Sequence, residues 1–97
     1  MSKSQLKTQM SLLGMDQRFI NNYFTPCVSF NNDQKIHKIV VLDNICYFIE
    51  SSIMTLSNHK KERVFNVKYV NGRNCLSLKF TDTLQQARTY LTGYLDA

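Results

Sequence analysis

Residues 64–80, with the sequence VFNVKYVNGRNCLSLKF, contain the clearest local signal in the chain. Asn71-Gly72 stands between two runs in which apolar and polar residues alternate, the preferred sequence for a two-residue type I′ hairpin turn. Such a turn places Val70 opposite Arg73, Tyr69 opposite Asn74 and Val67 opposite Leu76. One face of the hairpin then carries Phe65, Val67, Tyr69, Leu76, Leu78 and Phe80, and is predicted to be buried. The other face is predicted to be exposed, with Asn66, Lys68, Val70, Arg73, Cys75, Ser77 and Lys79.

Further strands precede this hairpin. In residues 35–42, Ile36, Val40 and Leu42 alternate with Ile39 and Val41, which predicts a strand covered on both faces or one whose outer face meets a partner. A turn is expected at residues 43–44. Residues 45–56 are predicted as two short strands broken near residues 51–52. A helical stripe of Ile45, Ile49, Ile53 and Leu56 also fits that segment, so the alternative stays open.

Helices are predicted at both ends of the chain. Residues 5–13 and 17–24 have apolar residues at helical spacing, with Asp16 as the N-cap of the second helix. At the other end, Asp82 is predicted to cap a helix with Gln85 at its third position. The apolar stripe of this last helix is Leu84, Ala87, Leu91 and Leu95.

The order of these elements predicts an α+β fold. It is an antiparallel sheet of four to five strands, with two short N-terminal helices and one C-terminal helix packed on one face of it. The chain of 97 residues is expected to be one domain: a helical segment at 1–25, the sheet at 34–80 and the helix at 82–96. Four strands followed by a helix resemble the layout of pleckstrin-homology-like fragments and of coactivator-type single-strand-binding proteins, but no motif is shared and no family is assigned.

Composition points to a reducing compartment. The three cysteines, Cys27, Cys46 and Cys75, match neither metal-site spacing nor a secreted disulfide framework, and the N-terminus lacks the apolar stretch of a secretory signal. Charged residues interrupt the longest apolar region, residues 36–56, so no membrane span is expected. The protein is therefore predicted to be cytoplasmic.

The residues offer little for catalysis. His37 and His59 have no neighbouring acid and nucleophile, and no histidine stands beside Cys75 in the sequence. Glycine-rich phosphate loops, calcium loops and zinc spacings do not occur. We therefore expect no enzyme, no catalytic residue, no cofactor and no metal site.

Positive charge carries the functional prediction. The chain has a net charge of +5, and residues 35–79 hold eight of its twelve Lys and Arg. Such a surface attracts an acidic partner. We predict a small non-enzymatic adaptor or inhibitor, of a kind common in phages and mobile elements, that binds a larger protein or nucleoprotein stoichiometrically through its sheet face and the basic loop at 58–63. The predicted contact residues are Lys60, Lys61, Arg63, Lys68, Val70, Arg73 and Lys79.

The alternative is a single-stranded nucleic-acid-binding protein that uses the same basic residues on phosphates. Such proteins also need exposed aromatic rings on which bases stack. Only Tyr47 or Phe48 is expected to provide one. A homodimer is compatible with either function.

Overall fold

The computed structural model describes residues 3–23, 34–72 and 74–96. Its elements are, in chain order, α1 (Lys3–Leu12), α2 (Gln17–Tyr23), β1 (Lys35–Leu42), β2 (Ile45–Thr55), β3 (Lys61–Asn71), β4 (Asn74–Thr81) and α3 (Leu84–Leu95). The four strands form one antiparallel sheet in the order β1-β2-β3-β4. The predicted α+β fold class is confirmed.

Helices cover both faces of this sheet, so the prediction that they share one face is wrong. On one face, here called the N-helix face, α1 and α2 enclose Cys46, Phe48 and Val70. On the opposite face, the α3 face, the helix packs on Ile49 and Val67. The physical reason is that β2 and β3 are apolar on both faces, and each face has to be removed from water.

β2 is one continuous strand of 11 residues, which contradicts both the predicted break and the helical alternative. Ser51 and Ser52 pair in the ladder with Phe65 and Val64. The Ser51 side chain is almost fully buried, and its hydroxyl lies within hydrogen-bond distance of both His37 and Arg63. A serine in a central strand is tolerated because its polar atom is satisfied there.

Two tight turns connect the outer strands to the central pair. Asp43 and Asn44 have φ of 53° and 64°, as a type I′ turn requires, which confirms the turn predicted at residues 43–44. In the second hairpin Asn74 pairs with Asn71 rather than with Tyr69. The predicted register is thus wrong by two residues. Alternation could not detect this error, because a shift of two residues leaves every side chain on the same face.

A bulge in β4 changes the faces further along this hairpin. Lys68 pairs with Ser77, but the preceding residue of β3, Val67, pairs with Lys79. The extra residue places Phe80 opposite Asn66 and leaves it 61 % exposed. The prediction that Phe80 points into the core is therefore wrong, because a bulge reverses the alternation beyond it.

A second bulge lies in β1. Ile36 pairs with Glu50 and Lys38 with Ile49, so His37 is the extra residue. Ile36 consequently lies on the N-helix face together with Ile39, where both join the same core. The predicted placement of these two side chains on opposite faces is wrong for the same reason.

The helix ends follow the expected chemistry. Asp16 Oδ1 accepts a hydrogen bond from the backbone N–H of Arg18 at 2.7 Å, which confirms the predicted cap of α2. At α3 the cap is Thr83 rather than Asp82: its hydroxyl accepts from the N–H of Gln86, and the Gln86 side chain accepts from the N–H of Asp82. The predicted capping pair is thus displaced by one residue.

Candidate functional site

The structure divides the predicted contact residues among separate places. Lys60 and Lys61 are exposed where β2 turns into β3, and Lys79 is exposed on β4. Lys68 lies on the N-helix face in an ion pair with Glu50, whereas Arg63 lies on the α3 face. Arg73 is outside the described residues. The six predicted residues that the structure describes therefore do not form one continuous surface.

Val70 is fully buried, so the expectation that it is an exposed apolar contact is wrong. It does lie on the face opposite Val67, as alternation predicts, but α1 and α2 cover that face. Ile39 packs partly against the same core, and Val41 on the β1 edge is 43 % exposed. Of these three apolar residues, only Val41 is exposed.

The loop that carries Lys60 is a well-defined turn. The N–H of His59 donates to the carbonyl of Leu56 at 3.0 Å, and the N–H of Leu56 donates to the carbonyl of Lys60 at 2.7 Å. Asn58 accepts from the N–H of Lys60, and His59 has a φ of 64°. This is a type I turn followed by a left-handed residue, and it holds the backbone that carries both lysines in one conformation.

A row of aromatic and apolar side chains crosses the α3 face at the end of the sheet near the two tight turns. Ladder pairs join Val40 to Tyr47, Tyr47 to Tyr69 and Tyr69 to Leu76, so one residue comes from each strand. The Tyr47 and Tyr69 ring centroids are 6.0 Å apart. Leu76 at the edge is 49 % exposed.

The end of α3 adds two more rings to this row. The Tyr94 ring lies 6.0 Å from Tyr47 and 6.2 Å from Tyr90, and Tyr94 is 42 % exposed. Burial, together with Tyr94 and Asp43, raises the pKa of the Tyr47 hydroxyl, so Tyr47 is a neutral hydrogen-bonding group at pH 7. We call Tyr47, Tyr69, Leu76, Tyr90 and Tyr94 the tyrosine surface.

Sequence reasoning found little of this surface. The sequence predicts an exposed ring at Tyr47 or Phe48, and Phe48 is fully buried. Alternation predicts that Tyr69 is buried, and it makes no prediction for Tyr90 and Tyr94. The spacing of four residues between Tyr90 and Tyr94 puts them on one side of a helix and is the signal that was available.

A group of basic side chains lies on the same α3 face but nearer the β2–β3 loop. His37 Nε2 is 2.6 Å from Ser51 Oγ, and Arg63 Nη1 donates to that oxygen at 2.7 Å. Burial lowers the pKa of His37, and the positive charges of Arg63, Arg88 and Lys35 lower it further. We call Lys35, His37, Arg63 and Arg88 the basic cluster.

The His37–Ser51 contact is not arranged for nucleophilic catalysis. Ser51 is only 1 % exposed, so a substrate cannot reach its oxygen, and that oxygen already accepts from Arg63. Ser51 Oγ accepts from Arg63, and the tautomer of the His37 imidazole determines which group donates in the contact between Oγ and Nε2. Within residues 3–23, 34–72 and 74–96 no three His, Cys, Asp or Glu side chains come together as metal ligands.

A polar network crosses the N-helix face beyond the apolar core. Glu50 accepts from Gln34 Nε2 at 2.6 Å and pairs with Lys68, and Asn66 accepts from the hydroxyl of Ser77 at 2.6 Å. Glu50 and Asn66 are both buried. Lys68 is therefore part of the internal structure of this face, and a partner that contacted it would have to compete with Glu50.

Two open grooves flank the sheet. One of about 540 Å³ lies between α1 and the β1 edge, where Ile39 and Val41 form its apolar wall. The other, of about 530 Å³, lies between β4 and α3 and includes Phe80 and Tyr90. Tyr90 belongs to both this second groove and the tyrosine surface, so the two are neighbours.

No family model, curated protein or solved structure matches this chain. In the part of the chain that the structure describes, every helix is too short or too polar to cross a membrane.

Proposed function

We propose that this chain is a small non-enzymatic binding protein, an adaptor or inhibitor that acts by stoichiometric binding to a larger protein or nucleoprotein. The observation that carries the proposal is the tyrosine surface. It brings rings from β2, β3 and α3 together with an exposed leucine from β4. Rigid aromatic side chains in such a group are typical of the energetic centre of a protein interface.

The tyrosines suit this role because they lose little side-chain entropy on binding. Their positions are set by the ladder and by α3, and each ring offers both apolar area and a hydroxyl for hydrogen bonding. Leu76 and Tyr94 are the two most exposed members, so they are the residues a partner would bury.

The exposed lysines of the β2–β3 loop contribute at longer range. Lys61 and Tyr69 are eight residues apart on β3, a separation of about 26 Å along a strand. The loop therefore does not share a contact centre with the tyrosines. Its charge, and the net charge of +5, would favour approach to an acidic partner and raise the association rate more than the final affinity.

We also propose that the protein acts in the cytoplasm, where its thiols stay reduced. Cys46 and Cys75 are free, and burial raises the pKa of Cys46 to about 11. β3 lies between the strands that carry them, which separates their backbones by about 9–10 Å, beyond the reach of a disulfide.

A single-stranded nucleic-acid ligand is the second candidate, because the tyrosine surface and the basic cluster lie on the same face of the sheet. Bases would stack on exposed rings while cations contact the backbone phosphates. Replacing Lys35 and Arg88, the two exposed members of the basic cluster, by Ala should then flatten the salt dependence of binding by roughly 0.7 per lost phosphate contact.

The test compares two exposed leucines. Leu76→Asp places a charge in the tyrosine surface, and Leu12→Asp places the same charge on α1, where Leu12 is 74 % exposed. The wild-type chain and the two variants are each immobilised and exposed to a cell lysate. A protein that binds the wild-type chain and Leu12→Asp, but not Leu76→Asp, is purified and titrated with the wild-type chain. A single partner bound at a fixed molar ratio supports the proposal, and equal retention by both variants contradicts it.

Two parallel measurements separate the remaining candidates. Fluorescence anisotropy with a random single-stranded oligonucleotide at two salt concentrations tests the nucleic-acid ligand. Light scattering tests a homodimer, in which the partner of the tyrosine surface is a second copy. A dimer of the wild-type chain that becomes a monomer with Leu76→Asp would assign the surface to self-association.

A further inference from the structure

β1 is an edge strand whose outer side is open. The sheet order is β1-β2-β3-β4, and among residues 3–23, 34–72 and 74–96 only β2 pairs with β1. An unpaired strand edge carries a row of backbone N–H and C=O groups with which a further strand can bond. Residues 38–42 pair with β2 without interruption beyond the bulge at His37, so this part of the edge is regular.

The turn at the end of β1 determines which backbone groups point outward. Leu42 pairs with Ile45 across a two-residue loop. In such a hairpin the residues that flank the loop exchange both hydrogen bonds, and every second pair from them does so too. Val41 and Ile39 belong to the intervening pairs, so their N–H and C=O groups point away from β2.

The same two residues form the apolar wall of the groove beside α1. Val41 is 43 % exposed, and Ile39 is only partly buried. The groove has a volume of about 540 Å³, and its other wall is polar, formed by Ser4, Gln5, Thr8 and Gln9. Space for side chains therefore lies directly beside the backbone groups that face outward.

The charge of β1 indicates what kind of segment would suit this edge. Lys35–Leu42 contains two lysines and no Asp or Glu. Lys38 pairs with Ile49 and so lies on the α3 face, whereas Ile39 and Val41 lie on the N-helix face. A strand added to β1 would put alternate side chains on these two faces. Apolar side chains suit the groove, and acidic side chains suit Lys38 on the other face.

We propose that β1 binds an extended, acidic peptide segment of a partner protein, which adds a fifth strand to the sheet. Its main chain would pair with Ile39 and Val41, its apolar side chains would enter the groove, and its acidic side chains would face Lys38. A helix cannot make this contact, because its own backbone groups are already paired. The other edge strand, β4, also contains no Asp or Glu and carries Lys79, so a second copy of this chain lacks the complementary charge.

This site is independent of the proposed function. The tyrosine surface ends at Leu76 on β4, the opposite edge of the sheet, and three strand spacings of about 4.8 Å separate the two edges. Failure of peptide binding at β1 would therefore leave the test with Leu76→Asp unaffected.

The experiment is an NMR titration of the full chain with a capped seven-residue peptide in which valine and glutamate alternate. We expect saturable shifts at the amides of Ile39 and Val41, slower exchange of these two amides with solvent, and weaker binding of the matching valine–lysine peptide. Absence of saturable shifts in β1 at millimolar peptide would overturn the proposal. Shifts centred on Leu76 and Tyr94 would also overturn it, since they would place the peptide on the tyrosine surface.

Two variants of Val41 test the backbone contact. Proline removes the outward N–H and is tolerated on an edge strand where that N–H faces solvent, whereas threonine keeps both the N–H and the branched shape. Val41→Pro should weaken peptide binding by roughly tenfold, and Val41→Thr by less than about twofold. Equal affinities of the two variants would refute strand addition.

Lys38→Glu and Arg18→Glu test the charge contact, since each reverses one positive charge. Arg18 is exposed on α2, which is not part of either wall of the groove. Lys38→Glu should weaken binding of the glutamate peptide by roughly threefold to tenfold and strengthen binding of the lysine peptide, whereas Arg18→Glu should change both little. Equal effects would mean that net charge alone governs binding, which would refute the site. Lys38→Glu leaves the backbone intact, so it decides the matter if circular dichroism shows that Val41→Pro does not fold.

Discussion

Truncation of Val70 tests the assignment of the covered face. In the ladder, Val41, Cys46, Val70 and Cys75 form one row on the N-helix face. Val70 is 0 % exposed within that row, whereas Val41 at the β1 edge is 43 % exposed. Val70→Ala and Val41→Ala remove the same two methyl groups from the same face, so they differ mainly in burial.

The expected costs follow from that difference. Loss of two buried methyl groups costs about 1.6 kcal/mol in transfer free energy, and the residual cavity raises the cost for Val70→Ala to about 2–3 kcal/mol. For a domain of this size the melting temperature should fall by about 8–24 °C. Val41→Ala, which leaves a site already open to water, should cost about 0.5 kcal/mol.

The assay is urea unfolding followed by far-ultraviolet circular dichroism. The midpoint should fall for Val70→Ala with the slope unchanged, because the surface exposed on unfolding is almost the same. Equal midpoints for Val70→Ala and Val41→Ala would refute the reasoning. That result would mean that α1 and α2 do not cover this face in solution.

Three further predictions concern a titrating side chain and two backbone positions. The pKa of His37 is lowered in the folded chain, so the unfolded chain binds its proton first as the pH falls. The stabilising contribution of neutral His37 should therefore be fully present above pH ~6.5 and decrease below it. In His37→Gln the urea midpoint should fall less on acidification than in the wild-type chain. Gly93→Ala should raise the free energy of unfolding by about 1 kcal/mol, because Gly93 is helical and an added Cβ meets nothing within 4 Å. A lower melting temperature for Gly93→Ala would contradict the description of Gly93 as a helical residue with open space beside it. Gly72→Ala should instead lower the free energy of unfolding by about 1 kcal/mol, since Gly72 has a φ of 63°. Calorimetry should therefore show a higher melting temperature for Gly93→Ala and a lower one for Gly72→Ala.

The elements of the fold were largely predictable from local chemistry. Caps, turn residues and periodicity located the helices and strands, and Asp16 performs the capping role that its position predicts. The errors cluster where one extra residue enters a strand. Nothing in the sequence around His37 or Leu78 distinguishes a bulge from regular pairing, because the ladder partner decides it.

The candidate site was less predictable for a related reason. Sequence identified the basic residues, but not which face or which end of the sheet each would occupy. The tyrosine surface depends on contacts between β2, β3 and α3, and residues as distant as Tyr47 and Tyr94 meet only in the folded chain. The Ser51 hydroxyl likewise finds His37 and Arg63 across two different strands.

Local sequence patterns and composition are enough to predict the class of fold, the hairpin around Gly72 and the positive charge of the chain. These properties follow from short-range rules of backbone conformation and from composition. Only the packing of the helices leaves Val70 buried and Leu76 exposed, although both belong to the same hairpin. Alternation assigns side chains to two faces, and only the packing of α1, α2 and α3 determines which parts of each face remain in water.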